Sequence, residues 1–229
     1  MALTVYENLE QGSEEWLQAR CGIVTASTVG QLITTKTIKP ASNETARSLT
    51  AHLVAERITG YVEPTYVSAD MERGNLSEPY ARDAYAEQQG LTVDEIGFMV
   101  REQGDTFRLG WSPDGLVGEV GAIEIKSPRQ KKHLQTILAD EVPPEHMAQL
   151  QAGLLVSGRG WIDFISYCGG FPLYVKRVTP DQKWADTITL AVQTFEQRAE
   201  EMTNRYKGAT VGKEPMERID FDQEMEIQF

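Results

Sequence analysis

Along this chain the spacing of apolar residues changes between a period of two and a period near 3.6, and those changes divide it into strands and helices. The clearest two-residue alternation is Gly121-Ala122-Ile123-Glu124-Ile125-Lys126. On a strand, Ile123 and Ile125 point into a core, while Glu124 and Lys126 share the opposite face and expose a carboxylate beside an ammonium. Upstream, Gly118-Glu119-Val120-Gly121 is a glycine-punctuated turn signal. A turn centred on Glu119 places Asp114 opposite Glu124 across a hairpin. Leu91 to Arg101 and Thr106 to Trp111 read as strands joined by Gln103-Gly104-Asp105, and Gly160 to Cys168 and Pro172 to Val178 as a hairpin about Gly169-Gly170.

Helical spacing accounts for much of the remainder. Ser13 is an N-cap for a helix ending at Arg20 before Gly22, and Thr25 or Ser27 can cap a second one. Asn43 caps a helix in which Leu49, Leu53, Val54 and Ile58 recur until Gly60. The stretch Asp70 to Tyr85 is expected to be helical at least after Pro79, a residue suited to a first turn, with Glu78 then near the positive dipole end. A further helix runs over 146–155, and a long one from Thr179 or Asp181 to about Lys207 carries Trp184, Ile188, Val192 and Phe195 on one side. Thr34 to Asn43 lacks any apolar period and reads as a mobile loop, and Tyr61 to Ala69 as a connector. The end, Ile219 to Phe229, alternates apolar and acidic residues, as an edge strand or subunit contact would, with a loose terminus as the competing account.

Composition limits the class. With 229 residues, 41% hydrophobic and 24% charged, the chain is expected to form one domain over 1–207 followed by an acidic extension over 208–229. No apolar run approaches the roughly 20 residues of a membrane helix, and the N-terminus lacks a signal-peptide pattern, so a cytoplasmic location is expected. Cys21 and Cys168 are too few for a disulfide framework or an iron–sulfur site. The net charge of −12 argues against a general nucleic-acid binder, because polyanion affinity comes mainly from Lys and Arg. It does not exclude a local basic cleft, and Lys126, Arg129, Lys131 and Lys132 cluster in sequence.

Charge also makes the hairpin chemically interesting. An isolated Glu-x-Lys on a strand is most simply a weak surface ion pair, contributing roughly 0–1 kcal/mol. Asp114 on the opposing arm alters that reading: two crowded carboxylates repel unless a cation joins them, and a hard ion such as Mg²⁺ suits carboxylate and carbonyl oxygens. Near the N-terminus, Arg20 followed by Thr25 and Ser27 at a helix start is compatible with a phosphate pocket, and equally with simple capping. His146 and Gln149, three apart on a helix, share a side; a lone helical histidine is usually no ligand, and His146 is not assigned to metal.

In order, Arg20-x-Gly22-x-x-Thr25-Ala26-Ser27, Gly74-x-x-x-Glu78, Ser112-Pro113-Asp114-Gly115, Glu124-x-Lys126 and Gln149-x-Gln151 resemble the phage lambda exonuclease family, the YqaJ-type viral recombinase or alkaline exonuclease branch of the PD-(D/E)XK nucleases. The resemblance covers roughly residues 13 to 178. It implies an α/β (α+β) fold with a restriction-endonuclease-like core, a central mixed sheet flanked by helices. It further implies Mg²⁺ or Mn²⁺, as a pair of ions, held by Asp114, Glu124 and the Ile125 carbonyl with Glu78 assisting, and Lys126 acting on the attacking water. Arg20, Ser27 and Gln149 would meet a terminal 5′ phosphate, with Thr25 beside them. Met71 falls where the lambda enzyme carries an apolar wedge, and Lys36, Lys39, Arg129 and Lys131 are further candidates for DNA contact. The implied activity is 5′→3′ degradation of double-stranded DNA ends by a ring-shaped homotrimer, leaving 3′ single strands for a single-strand annealing protein. Two other readings stay open: a site-specific endonuclease on the same fold, and a non-catalytic DNA-end or recombinase-binding module.

Overall fold

The computed structural model describes residues 1–64 and 68–219. Its helices and strands begin with β1 (Ala2–Tyr6), α1 (Glu14–Arg20), β2 (Val24–Thr25), α2 (Ala26–Val29), β3 (Ile33–Thr34), β4 (Lys39–Pro40), α3 (Glu44–Thr59) and α4 (Ala69–Gln89). Then follow β5 (Phe98–Gln103), β6 (Phe107–Trp111), β7 (Gly115–Val117), β8 (Gly121–Lys126), α5 (Gln130–Ala139), α6 (Pro144–Ser157), β9 (Trp161–Ser166), β10 (Tyr174–Val178) and α7 (Gln182–Ala209).

The strands form two four-stranded sheets, ordered β1-β5-β6-β2 and β10-β9-β8-β7, and a small β3-β4 pair. Both larger sheets are mixed: β2 runs parallel to β6 and β8 parallel to β9, the other pairs being antiparallel. Helix α6 unites them, because Leu150 and Leu154 share a core with Leu109 and Trp111 of β6 and with Ile162 and Phe164 of β9. Ile188, Val192 and Phe195 of α7 close that core, as their spacing predicts. Ile123 and Ile125 face the other way, onto Ala81 and Tyr85 of α4.

Strand β8 is therefore covered on both faces, which fixes its register firmly. It pairs with β7 as Gly115↔Ile123 and Val117↔Gly121, the register of a turn centred on Glu119. Gly121 lies under an indole: a Cβ there would meet Trp161 Cζ2 at 2.1 Å. Gly118 in the turn has φ +52°, a conformation that favours glycine.

Several expectations need correction. Helix α4 begins ten residues before Pro79, since Ser68 Oγ caps it by accepting from Met71 N at 3.2 Å. Glu78 therefore sits in mid-helix and not at a dipole end. Proline is tolerated there because its ring is exposed and the helix loses only one hydrogen bond on a solvated face. Strand β5 starts at Phe98 because Gly97 packs against Leu9, where a Cβ would come within 2.2 Å of the Leu9 carbonyl oxygen. The preceding segment makes a single bridge, Asp94 to Leu116. The stretch read as a mobile loop holds the β3-β4 pair, tied by Thr34 Oγ1 donating to Lys39 O at 3.0 Å and by Ile38 packing on the core. Helix α2 is a single turn. Strand β1 and helix α5 were not anticipated. The alternating tail lies almost wholly in 220–229, outside the described residues.

Candidate active site

The N-terminal segment holds the loop before β7. Gln11 Nε2 donates to Pro113 O at 3.1 Å, and Trp16 Nε1 donates to Ser112 Oγ at 3.0 Å. Ser13 caps α1 by accepting from Trp16 N, and one turn later Arg20 lays its guanidinium 3.7 Å from the Trp16 ring centroid. Helix α1 thus carries a cation to the same place to which its indole anchors Ser112. Burial lowers the Arg20 pKa to about 10, with Glu56 opposing the shift. Across from it Thr25 Oγ1 lies 3.0 Å from Ser27 Oγ and 3.2 Å from Thr28 Oγ1. Ser27 itself is exposed.

The hairpin delivers the acids. Glu124 is not an exposed carboxylate, as the strand pattern suggested; it is 1% exposed, because α6 covers that face. Its Oε1 accepts from Lys126 Nζ at 2.6 Å and from Gln149 Nε2 at 2.5 Å. Its Oε2 is buried without a hydrogen-bond partner, an expensive arrangement for a carboxylate oxygen. Asp114 Oδ2 accepts from the Ile125 amide at 2.6 Å, and its main-chain oxygen accepts from Arg82 Nε at 2.9 Å. Arg82 also grips Glu78 at 2.6 Å and Glu95 at 2.8 Å.

Withdrawal from water, and then the neighbouring Glu124 charge, raise the Asp114 carboxyl well above the usual range. Glu78 is raised too, by burial first, against the pull of Arg82. Burial pulls Lys126 down, but Glu124 and Asp114 outweigh it and leave the ammonium above its ordinary pKa. His146 stacks on Phe164 with ring centroids 5.5 Å apart, and burial, then Lys126, lowers its pKa to about 4. It is neutral near pH 7.

Arg20, Thr25, Ser27, Met71, Glu78, Asp114, Glu124, Ile125, Lys126 and Gln149 line one cleft of about 420 Å³. Residues from opposite ends of the sequence converge there. Lys36 and Lys39 do not line it. Arg129 and Lys131 border a separate cavity of about 630 Å³ with Arg73 and Tyr167, and Ser127 belongs to both walls. Residues that sequence reasoning missed include Trp16 and Arg82; each stands four positions from an identified partner, Arg20 and Glu78, the spacing of neighbours on a helix.

Among the described residues no three His, Cys, Asp or Glu side chains form a ready cage for a metal, and Glu78 is engaged by Arg82. The two remaining carboxylates, one with an unsatisfied oxygen, and the Ile125 carbonyl between Glu124 and Lys126 fit a hard divalent ion that keeps several waters. Among the described residues no helix is long and apolar enough to cross a membrane.

Residues 15–160 match the YqaJ-like viral recombinase domain. An alkaline exonuclease (LHK-Exo) from Laribacter hongkongensis superposes with a TM-score of 0.77 at 33% identity, over 87% of this chain and 98% of that one. The same protein has been solved in complex with dAMP, with the same similarity. A phage-related exonuclease from Haemophilus somnus 129PT, 15% identical with a TM-score of 0.59 over 79% of this chain and 96% of that one, shares the fold. No curated protein matches the chain. A domain match running through the Arg20, Glu78, Asp114, Glu124 and Gln149 segments, joined to that identity over nearly the whole of a solved relative, means that the chain belongs to the YqaJ-like viral recombinase family, the lambda-exonuclease-like nucleases.

Proposed function

We propose that the protein is a divalent-metal-dependent exonuclease that degrades double-stranded DNA in the 5′→3′ direction and leaves 3′ single strands for an annealing protein. The observation that carries the metal dependence is the buried, partnerless Glu124 Oε2 beside Asp114 and Lys126, and membership of the family supports the exonuclease activity. Asp114, Glu124 and the Ile125 carbonyl would hold Mg²⁺ or Mn²⁺; Glu78, paired with Arg82 at 2.6 Å, would assist a second ion only on leaving that pair. Such an ion, when bound, supplies Lewis-acid polarisation of the phosphate and lowers the pKa of bound water.

The chain's own groups do the rest. Lys126, kept protonated by Glu124 and Asp114, orients the attacking water and offsets charge that grows on the phosphate oxygens. Gln149, expected from the sequence at the 5′ phosphate, instead commits its amide nitrogen to Glu124 and so holds that carboxylate in place. Arg20, flat against Trp16, with the exposed Ser27 hydroxyl and Thr25, would receive the terminal 5′ phosphate. Met71, 52% exposed at the rim, would abut the DNA end. The relative has been solved in complex with dAMP, a nucleoside monophosphate of the kind an exonuclease releases. Assembly into a homotrimeric ring belongs to the same proposal, and light scattering on the eluting protein measures it.

The decisive assay uses linear duplexes with 5′-phosphate or 5′-hydroxyl termini, labelled on each strand in turn, beside a covalently closed circle. Loss of the 5′ label first, dependence on Mg²⁺ and an intact circle are expected. Cutting of the circle would favour a site-specific endonuclease, and no turnover with any divalent ion would favour a binding module.

A further inference from the structure

Gly22 connects the end of α1, where Arg20 sits, to Thr25 and Ser27. Its φ is +68°, and a Cβ there would lie 2.3 Å from Arg57 Cγ, so the turn accepts no side chain. Both polar groups of this residue are held by consecutive residues near the end of α3. The Gly22 N–H donates to Glu56 Oε2 at 2.7 Å, and the Gly22 carbonyl accepts from Arg57 Nε at 2.7 Å. Arg57 is itself locked, with Nη1 and Nη2 donating to the two oxygens of Glu196 on α7 at 2.6 and 2.9 Å. The Cys21 thiol adds a weak bond to the Glu56 carbonyl at 3.4 Å.

Glu56 is an unusual choice for this task. Its side chain is 7% exposed, and its Oε1 lies 3.1 Å from Nε2 of His52, a side chain that is 51% exposed and makes an ion pair only when protonated. A glutamine could accept the same amide proton without the cost of burying a carboxylate. What the carboxylate adds is negative charge close to Arg20, whose guanidinium is otherwise packed on an indole.

We infer that Glu56 and Arg57 form a clamp on the Gly22 peptide that positions Arg20 against Thr25 and Ser27, and that this clamp sets the preference of the site for 5′-phosphorylated over 5′-hydroxyl DNA ends. The inference rests on the 5′-end reading given above. Neither clamp residue lines that cleft, although Glu56 borders a neighbouring pocket with Arg20 and Thr25; in this inference both act through Arg20 as positioning residues.

The test is the ratio of kcat/KM on 5′-phosphoryl and 5′-hydroxyl duplexes with Mg²⁺, for Glu56→Ala, Arg57→Met and Glu56→Gln, with circular dichroism melts alongside. Glu56→Ala and Arg57→Met should lower the ratio about tenfold, an effect equivalent to about 1.4 kcal/mol, through loss on phosphorylated ends alone. Glu56→Gln, which keeps the acceptor but not the charge, should retain the ratio to within about threefold, and Arg57→Met carries the test if Glu56→Ala does not fold. Equal losses on both substrates or an unchanged ratio in Glu56→Ala or Arg57→Met, or a Glu56→Gln loss as large as that of Glu56→Ala, would overturn the clamp. Arg20→Ala separates the levels: if it leaves the ratio untouched, the 5′-phosphate reading itself falls. If it collapses the ratio while folded clamp variants do not, only the clamp falls.

Discussion

A residue's surroundings decide what its charge can do, and Lys126 illustrates this best. Its side chain is 29% exposed, and that of its partner Glu124 only 1%, so the pair lines the cleft and differs from a solvated surface bridge. Lys126→Ala should lower Mg²⁺-dependent cleavage by about 10²–10⁴-fold with an unchanged circular dichroism spectrum; near-parental turnover would remove Lys126 from the chemistry. Asp114 allows a pH test. Its carboxyl is raised in the folded state, so in EDTA its contribution to stability is present at low pH and lost as pH rises through the folded value. Asp114→Asn should therefore melt several degrees above the parent at pH 8 and level with it near pH 4, and added Mn²⁺ should stabilise the parent more than the variant. Both acids and the lysine were legible from strand alternation and a turn centre. The burial of Glu124 was not, because a two-residue period says which residues share a face but not what covers it; here α6 does, with Gln149.

Individual elements account for most of what the sequence left hidden. Long periodic segments such as α3 and α7 were readable because their apolar residues do face a core. Helix α4 was readable from Asp70 onward, but Pro79 suggested a helix start beside Glu78 where the helix is continuous. Pro79→Ala should restore a backbone hydrogen bond and raise the melting temperature, by an amount equivalent to about 1–3 kcal/mol. A fall in melting temperature would mean that the interruption is needed where α4 meets β8. The Arg57–Glu196 pair, which joins α3 to α7, is invisible to any local pattern because its partners lie 139 residues apart. Strand β1 escaped for another reason: all five of its residues are exposed, so no buried period announces it.

For the whole molecule, placement of side chains alone does not offset the acidic balance against a polyanionic substrate. The cleft sets Arg20 and Lys126 against Asp70, Glu78, Asp114 and Glu124, while Arg73, Arg129 and Lys131 border the adjoining cavity; the chain as a whole carries a net charge of −12, so a bound divalent ion would have to supply the missing positive charge. With so few cations facing DNA, log KM for duplex should rise only gently with log[salt], with a slope of about 2–4; a slope near 10 would require a much larger basic surface than this one. The two sheets and their shared helix bring together residues that no short window of sequence contains. One contact within that scaffold constrains how the protein can change over time. Because an indole fills the room that any side chain at position 121 would need, the strand carrying the acid and the ammonium can neither drift nor be re-spaced by substitution there. Saturation of that codon should return glycine among active clones, while Lys36, exposed and outside the cleft lining, should accept many replacements. The placement of this chemistry is thus inherited through a missing side chain, a debt that sequence change cannot discharge without replacing Trp161 as well.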